Sequence, residues 1–253
     1  LDAPAGTEVK VEQVSSAFFF GAHIFNFNQL GRLEWNRKYR ELYGSLFNSA
    51  TVGFYWADFE PYPGCPRFCP GYEDSEAYWN SVKDPETQRH WRRPAPDAPI
   101  DWCLQRGVRV HGHPLVWNAD NVPLWLYGQY MPQAERDRLG FPEWEYGLIG
   151  KSLSSWKSKV RKPWYRAITN RYSETEFALM APVFTRNLAD LQDRRIRAIL
   201  ERYGDRVGSW DVVNESCHGY DPRKGVASGL PVTYGEHGVD AADYVLNAFR
   251  NSS

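Results

Sequence analysis

The stretch 195-RIRAILERYGDRVGSWDVVNE-215 changes period in its middle. Together with the residues before it, the run 183–204 sets Leu188, Leu191, Ile196, Ile199 and Leu200 on one side and stops at Gly204, the pattern of an amphipathic helix closed by a glycine. Beyond the glycine, 207-VGSWDVVNE-215 is short, apolar and β-branched, and reads as a buried strand. A helix that feeds at once into such a strand is part of a parallel crossover. If the unit recurs upstream, the fold class follows.

It does recur. Residues 108-VRVHGHPLVWN-118 read as a strand preceded by a short helix, 99-PIDWCLQRG-107, that closes on Gly107. Residues 49-SATVGFYWADFEP-61 form a strand ending at a proline, after a helical segment 34-EWNRKYRELYGSLF-47. The first strand is 17-AFFFGAHIF-25, read as buried. Strands separated by helices imply right-handed parallel crossovers, hence an α/β protein with a parallel sheet or barrel. In such folds ligands meet the carboxyl ends of the strands. Glu60, His113, Trp117, Asn118, Asn214 and Glu215 all fall at those ends.

No repeat or low-complexity linker interrupts the 253 residues, so they read as one domain, 1–253. With 30 Lys+Arg against 31 Asp+Glu the net charge is -1 and there is no like-charge run, so nucleic acid is not expected as a partner. No run of eighteen apolar residues exists, so no membrane span is expected. A chain starting at Leu1 without an apolar leader fits a mature secreted, periplasmic or cell-surface protein, or a trimmed piece of a longer one. Aromatic residues reach 15%, including 11 Trp, at a mean hydropathy of -0.59. Such rings fill cores, and they also line clefts that take sugars. Cys65, Cys69, Cys103 and Cys217 permit three pairings; Cys65 and Cys69 could close a small loop, or all four could be thiols. Zinc is not expected, because no second close cysteine pair completes a ligand set, and no cofactor motif is present.

Glu215 ends an apolar strand, where burial raises a carboxyl pKa and suits it to general acid work; it could equally be a structural cap for the loop that follows. Asn214 beside it offers an amide for a hydroxyl. His111 and His113, two apart on a strand, face one side. The bland reading of that pair is a buried hydrogen-bonding site rather than a metal pair, since no third ligand stands at a telling spacing.

Four segments, in order, resemble one family. The runs 195–215, 107-GVRVHGHPLVWN-118, 48-NSATVGFYWADFEP-61 and 9-VKVEQVSSAFFFGAHI-24 are similar to the fourth, third, second and first strand motifs of glycoside hydrolase family 10, the retaining endo-β-1,4-xylanases with a (β/α)8 barrel. Residues 243-DYVLNAFR-250 resemble the helix that follows. The resemblance implies a polysaccharide substrate, xylan or a related β-glycan, with Glu215 as acid/base and Asn214 on the 2-hydroxyl of the sugar being cleaved. It implies that His113, Trp117, Asn118 and Tyr55 line the substrate site. A retaining glycosidase protonates the leaving oxygen with one carboxyl group while a second attacks the anomeric carbon.

Departures accompany it. Where the family carries Asn and Lys in its second motif, Val52 and Tyr55 stand; where the third ends Trp-His, Trp117-Asn118 stands. The segment 119 to about 180 is longer than the family's connection and rich in Trp, Tyr, Lys and Arg. The residues after Glu215 are too few for four further units, since one βαβ motif takes roughly thirty. The nucleophile-bearing strand is therefore expected to lie beyond the chain, which would cover roughly the N-terminal half of a barrel. Glu236, the one glutamate downstream of Glu215, sits in a segment that resembles a loop and is not assigned as nucleophile. Two alternatives remain from these departures: a same-fold hydrolase of another β-glycan, or a carbohydrate-binding protein without catalysis. Nothing in the sequence fixes the oligomeric state.

Overall fold

The computed structural model describes residues 2, 4–68, 71–84, 88, 90–117, 123, 134, 148–149, 190–214 and 241–253. Four strands form one parallel sheet: β1 (Gly21–His23), β2 (Ser49–Gly53), β4 (Arg109–His113) and β6 (Ser209–Trp210), in the order β1-β2-β4-β6. The connections carry α1 (Leu33–Leu46), α2 (Trp56–Phe59), α3 (Glu76–Ser81), α4 (Asp97–Leu104) and α5 (190–203). The sheet runs in one direction with no switch point, which is the winding of a (β/α) barrel and not of a doubly wound sheet. A separate pair, β3 (His90–Trp91) with β5 (Leu148–Ile149), is antiparallel and joins the segment after β4 to the one before α4.

Register fixes which side chains share a face. His23, Thr51, His111 and Ser209 align across the sheet, and Gly53 aligns with His113. The alternate positions Ala50, Val52 and Val110 point the other way, into the core with Ile196, Ile199 and Tyr203 of α5. Each fully buried isoleucine contributes roughly 2 kcal/mol. Gly112 has no room for a side chain: a Cβ there would lie 2.2 Å from the Trp210 ring, which packs 4.9 Å from Phe54. The last helix, α6 (Ala241–Ser252), sends Ala248 into the same core.

Tyr43 ties the outer layer to the sheet. Its hydroxyl donates to Ala22 O at 2.5 Å from α1, while its ring packs on Phe47 and Trp102. Burial pushes this phenol well up from its ordinary value. Cys103, beside it on α4, is a buried thiol whose pKa is pushed up to about 12 by burial. Cys65 is also a free thiol, exposed; Cys69 and Cys217 lie outside the described residues.

Two expectations need correction. Only Gly21–His23 of 17–25 is strand, and Phe18, Phe19 and Phe20 are exposed rather than buried. The reason is local: the Asn48 amide takes Phe20 N–H at 2.8 Å and donates to Phe18 O at 2.8 Å, occupying the groups a ladder would use. The second strand also stops early, at Gly53, because the chain turns into α2 and Glu60 becomes its C-cap instead of a strand end. Among the described residues no helix is long and apolar enough to cross a membrane.

Candidate functional site

The ladder between β4 and β6 continues past the regular strands. Leu115 N–H donates to Asp211 O at 2.9 Å, Val116 N–H to Val212 O at 3.0 Å, and Asn214 N–H back to Val116 O at 2.9 Å. Trp117 and Asn214 thereby emerge side by side at the carboxyl end of the sheet. Phe54 N–H donates to His113 O at 2.7 Å, which brings the start of the β2 loop to the same edge. Tyr55 then sits edge-on to His113, ring centroids 5.4 Å apart, and 5.7 Å from Trp117. Four of the six sequence-predicted residues, Tyr55, His113, Trp117 and Asn214, therefore share one rim. Glu215 and Asn118 lie outside the described residues.

His111 and His113 do face one side, and Asp211 joins them. His113 Nδ1 is 2.6 Å from Asp211 Oδ2, and His111 Nε2 is 3.4 Å from the same oxygen. His111 Nδ1 meets Ser209 Oγ at 2.9 Å. Burial alone would raise the Asp211 carboxyl, but the hydrogen bonds from His113 and then His111 outweigh it and hold the pKa below the ordinary value. The pair is a hydrogen-bonded site that fixes the His113 ring under Tyr55. Trp117 Nε1 is buried and meets no acceptor among the described residues.

The departure at Val52 has a structural meaning: this side chain is 3% exposed and belongs to the core, not the rim. A cation reaches Tyr55 from elsewhere. The Arg93 guanidinium lies 4.2 Å from the Tyr55 ring centroid and 4.0 Å from that of Phe25, and its Nη1 is buried without an acceptor among the described residues. Gly53 makes the space, since a Cβ there would come within 3.2 Å of Arg93, Phe25 and Tyr55. Burial, and next the neighbouring Arg92, lower the Arg93 pKa. The sequence reading missed Arg93; the adjacent Arg92-Arg93 pair in an otherwise aperiodic loop was the available signal.

Beneath the rim, Arg195 of α5 is 4% exposed. Its Nε donates to Leu115 O at 3.1 Å and its Nη2 to Phe54 O, so one side chain grips the backbone just before Tyr55 and just before Val116. Burial lowers its pKa to about 10, opposed by Glu60. Glu60 accepts from Trp56 Nε1 and from Gly64 N–H, each at 2.7 Å; burial raises its carboxyl pKa against the pull of Arg195.

No family model matches the sequence, and no curated protein matches it. Among solved structures the chain is similar to xylanase B from Clostridium stercorarium F9, at 19% identity and a TM-score of 0.49, covering 93% of this chain and 48% of that one. It is similar to xylanase10C from Cellvibrio japonicus, at 18% identity and a TM-score of 0.48, over 94% of this chain and 34% of that one. A psychrophilic glycoside hydrolase family 10 endo-β-1,4-xylanase gives 18% identity and a TM-score of 0.44, over 93% of this chain and 49% of that one. The chain spans about half the length, or less, of these structures.

Proposed function

We propose that this chain belongs to a (β/α)8 glycoside hydrolase acting on β-1,4-xylan or a decorated relative with retention of configuration. One observation carries the reading: the β4–β6 ladder sets Trp117 beside Asn214, close to Tyr55 and His113, making a ring-lined rim at the carboxyl end of a parallel sheet, with the Trp117 Nε1 donor unmatched among the described residues. Glu215, next in sequence to Asn214, is the acid/base. It protonates the glycosidic oxygen as the bond breaks and later takes a proton from the attacking water. The Asn214 amide donates to the 2-hydroxyl, a hydrogen bond that strengthens in the transition state. Trp117 Nε1, lacking an acceptor among the described residues, suits a sugar hydroxyl. Double displacement needs a second carboxylate about 5 Å from the first. Asp211 does not serve as that group, because two imidazoles already occupy it, and no nucleophile is assigned within the chain.

The test is hydrolysis of xylan with the product anomer read by proton NMR. The β-anomer is expected first, and Glu215→Gln is expected to lower turnover by about 10²–10⁴ with little change in binding. Full activity in Glu215→Gln removes the residue from this role. A second reading, glycan binding without hydrolysis, draws on Asp211 being engaged; it predicts saturable xylan binding with no product. The choice of glycan is open to the same assay, since turnover of another β-glycan alone overturns the xylan assignment. The reading places the protein outside the cytoplasm, where its substrate is.

A further inference from the structure

We infer that a second site, a cationic cavity at the side of this rim, takes the carboxylate of an acidic sugar. The cavity holds about 810 Å³ and lies among the loop after β1, the start of α1, the end of α3 and β3. Arg32, Lys83 and Arg92 line it, with His90, Gln29 and the Trp35 indole, and among the described residues no carboxylate does. Arg92 is held from outside by Asp58 at 3.1 Å and lies 5.9 Å from the Tyr55 ring, so the cavity adjoins the rim. Gln29 Nε2 donates to Arg92 O at 2.8 Å and fixes that wall.

The cations at the mouth are less committed. Among the described residues, Arg32 reaches Glu34 only at 4.0 Å, both side chains being mostly exposed, and Lys83 Nζ donates one bond, to Gly31 O at 3.3 Å. The α1 N-terminus opens here with no side-chain cap, so its first amides add partial positive charge. Trp35 is 52% exposed while Arg32 stacks at 4.7 Å from its centroid, leaving indole surface for the apolar face of a pyranose. Charge selects an anion, and the ring with the Gln29 amide selects a sugar. A uronate residue has both. A planar carboxylate is also the group a guanidinium binds in a bidentate fork.

This inference names the substrate class of the proposed glycan cleft and rests on that reading, so the experiment separates the two. The full chain is titrated by calorimetry with a xylo-oligosaccharide bearing one glucuronate branch, and with the unbranched oligosaccharide of the same backbone length. The branched probe is expected to bind about tenfold tighter at low salt, as one charge-assisted contact implies, and to lose that advantage as salt rises. Arg32→Ala and Lys83→Ala should each reduce the preference, and together abolish it, while leaving the unbranched affinity unchanged. Equal affinity for the two probes, or a preference that survives the double variant, overturns the acidic site while sparing the glycan reading. Binding of neither probe overturns both. Free glucuronate is then compared with inorganic phosphate through the Trp35 indole NMR signal. A shift with glucuronate alone supports a sugar site, and an equal shift with phosphate overturns the sugar assignment.

Discussion

Arg195 and Arg32 carry the same charge and stand at the same end of the sheet, yet they are placed for opposite ends. Arg195 is sealed inside, its guanidinium spread over two backbone carbonyls and opposed by Glu60. Arg32 is exposed, stacks on a half-exposed indole and has its nearest carboxylate at the edge of contact. A buried ion with partners is costly to uncouple and contributes position. An exposed ion contributes little to folding, and so is free to meet a ligand. The first charge shapes the rim; the second is available to what the rim binds.

The largest effect is expected from breaking the buried member. Arg195→Met removes from buried Glu60 the cation that most lowers its pKa, and takes from Phe54 O and Leu115 O the guanidinium donor. A loss of about 3–5 kcal/mol is expected, read as a lower urea midpoint at unchanged slope. Adding Glu60→Gln should recover much of it, because the buried charge that Arg195 chiefly offsets goes. A loss below about 1 kcal/mol in the single variant would show that the pair does not peg the rim, and the contrast with Arg32 would fail.

How much of this was legible in the sequence depends on whether a side chain follows its period. Ile196 and Ile199 do, and the helix they mark stands over 190–203 with both fully buried. Arg195 does not: an arginine beside an isoleucine reads as a solvated face, and only the two carbonyls in space reveal its burial. The convergence of His113, Trp117 and Asn214 was legible because strand ends in a parallel sheet converge, whereas Tyr55 came only from the resemblance to the family's second motif. Arg93 was not, since 62–98 has no period from which to place it. Phe18–Phe20 misled for the converse reason: three aromatics imitate a buried strand, while the decision lay with Asn48, thirty residues on from Phe18.

A smaller effect sharpens the comparison at a half-exposed charge. Asp211 has its pKa held below the ordinary 3.8, with a side chain 46% exposed. A depressed acid stabilises the fold fully above its unfolded pKa, and that contribution fades as pH falls through the folded value. Asp211→Asn should therefore cost less than about 1 kcal/mol near neutrality, given the exposure. It should also flatten the fall in stability below pH about 4 that is expected of the unsubstituted protein. An unchanged acid limb would mean that the imidazoles do not hold Asp211 in solution.

The smallest effect belongs to the cavity mouth, and its smallness is the point. Arg32→Ala and Lys83→Ala remove exposed side chains whose contacts are a 4.0 Å ion pair, a stack on a half-exposed ring and one 3.3 Å hydrogen bond. Each should shift stability by no more than about 0.5 kcal/mol. A larger loss would mean that these cations hold the α1 entry together, as Arg195 holds the rim. The lack of a carboxylate among the described lining residues would then reflect the needs of the fold. Near-neutral stability combined with a lost preference for an acidic sugar leaves ligand binding as the role that explains why three cations face one cavity.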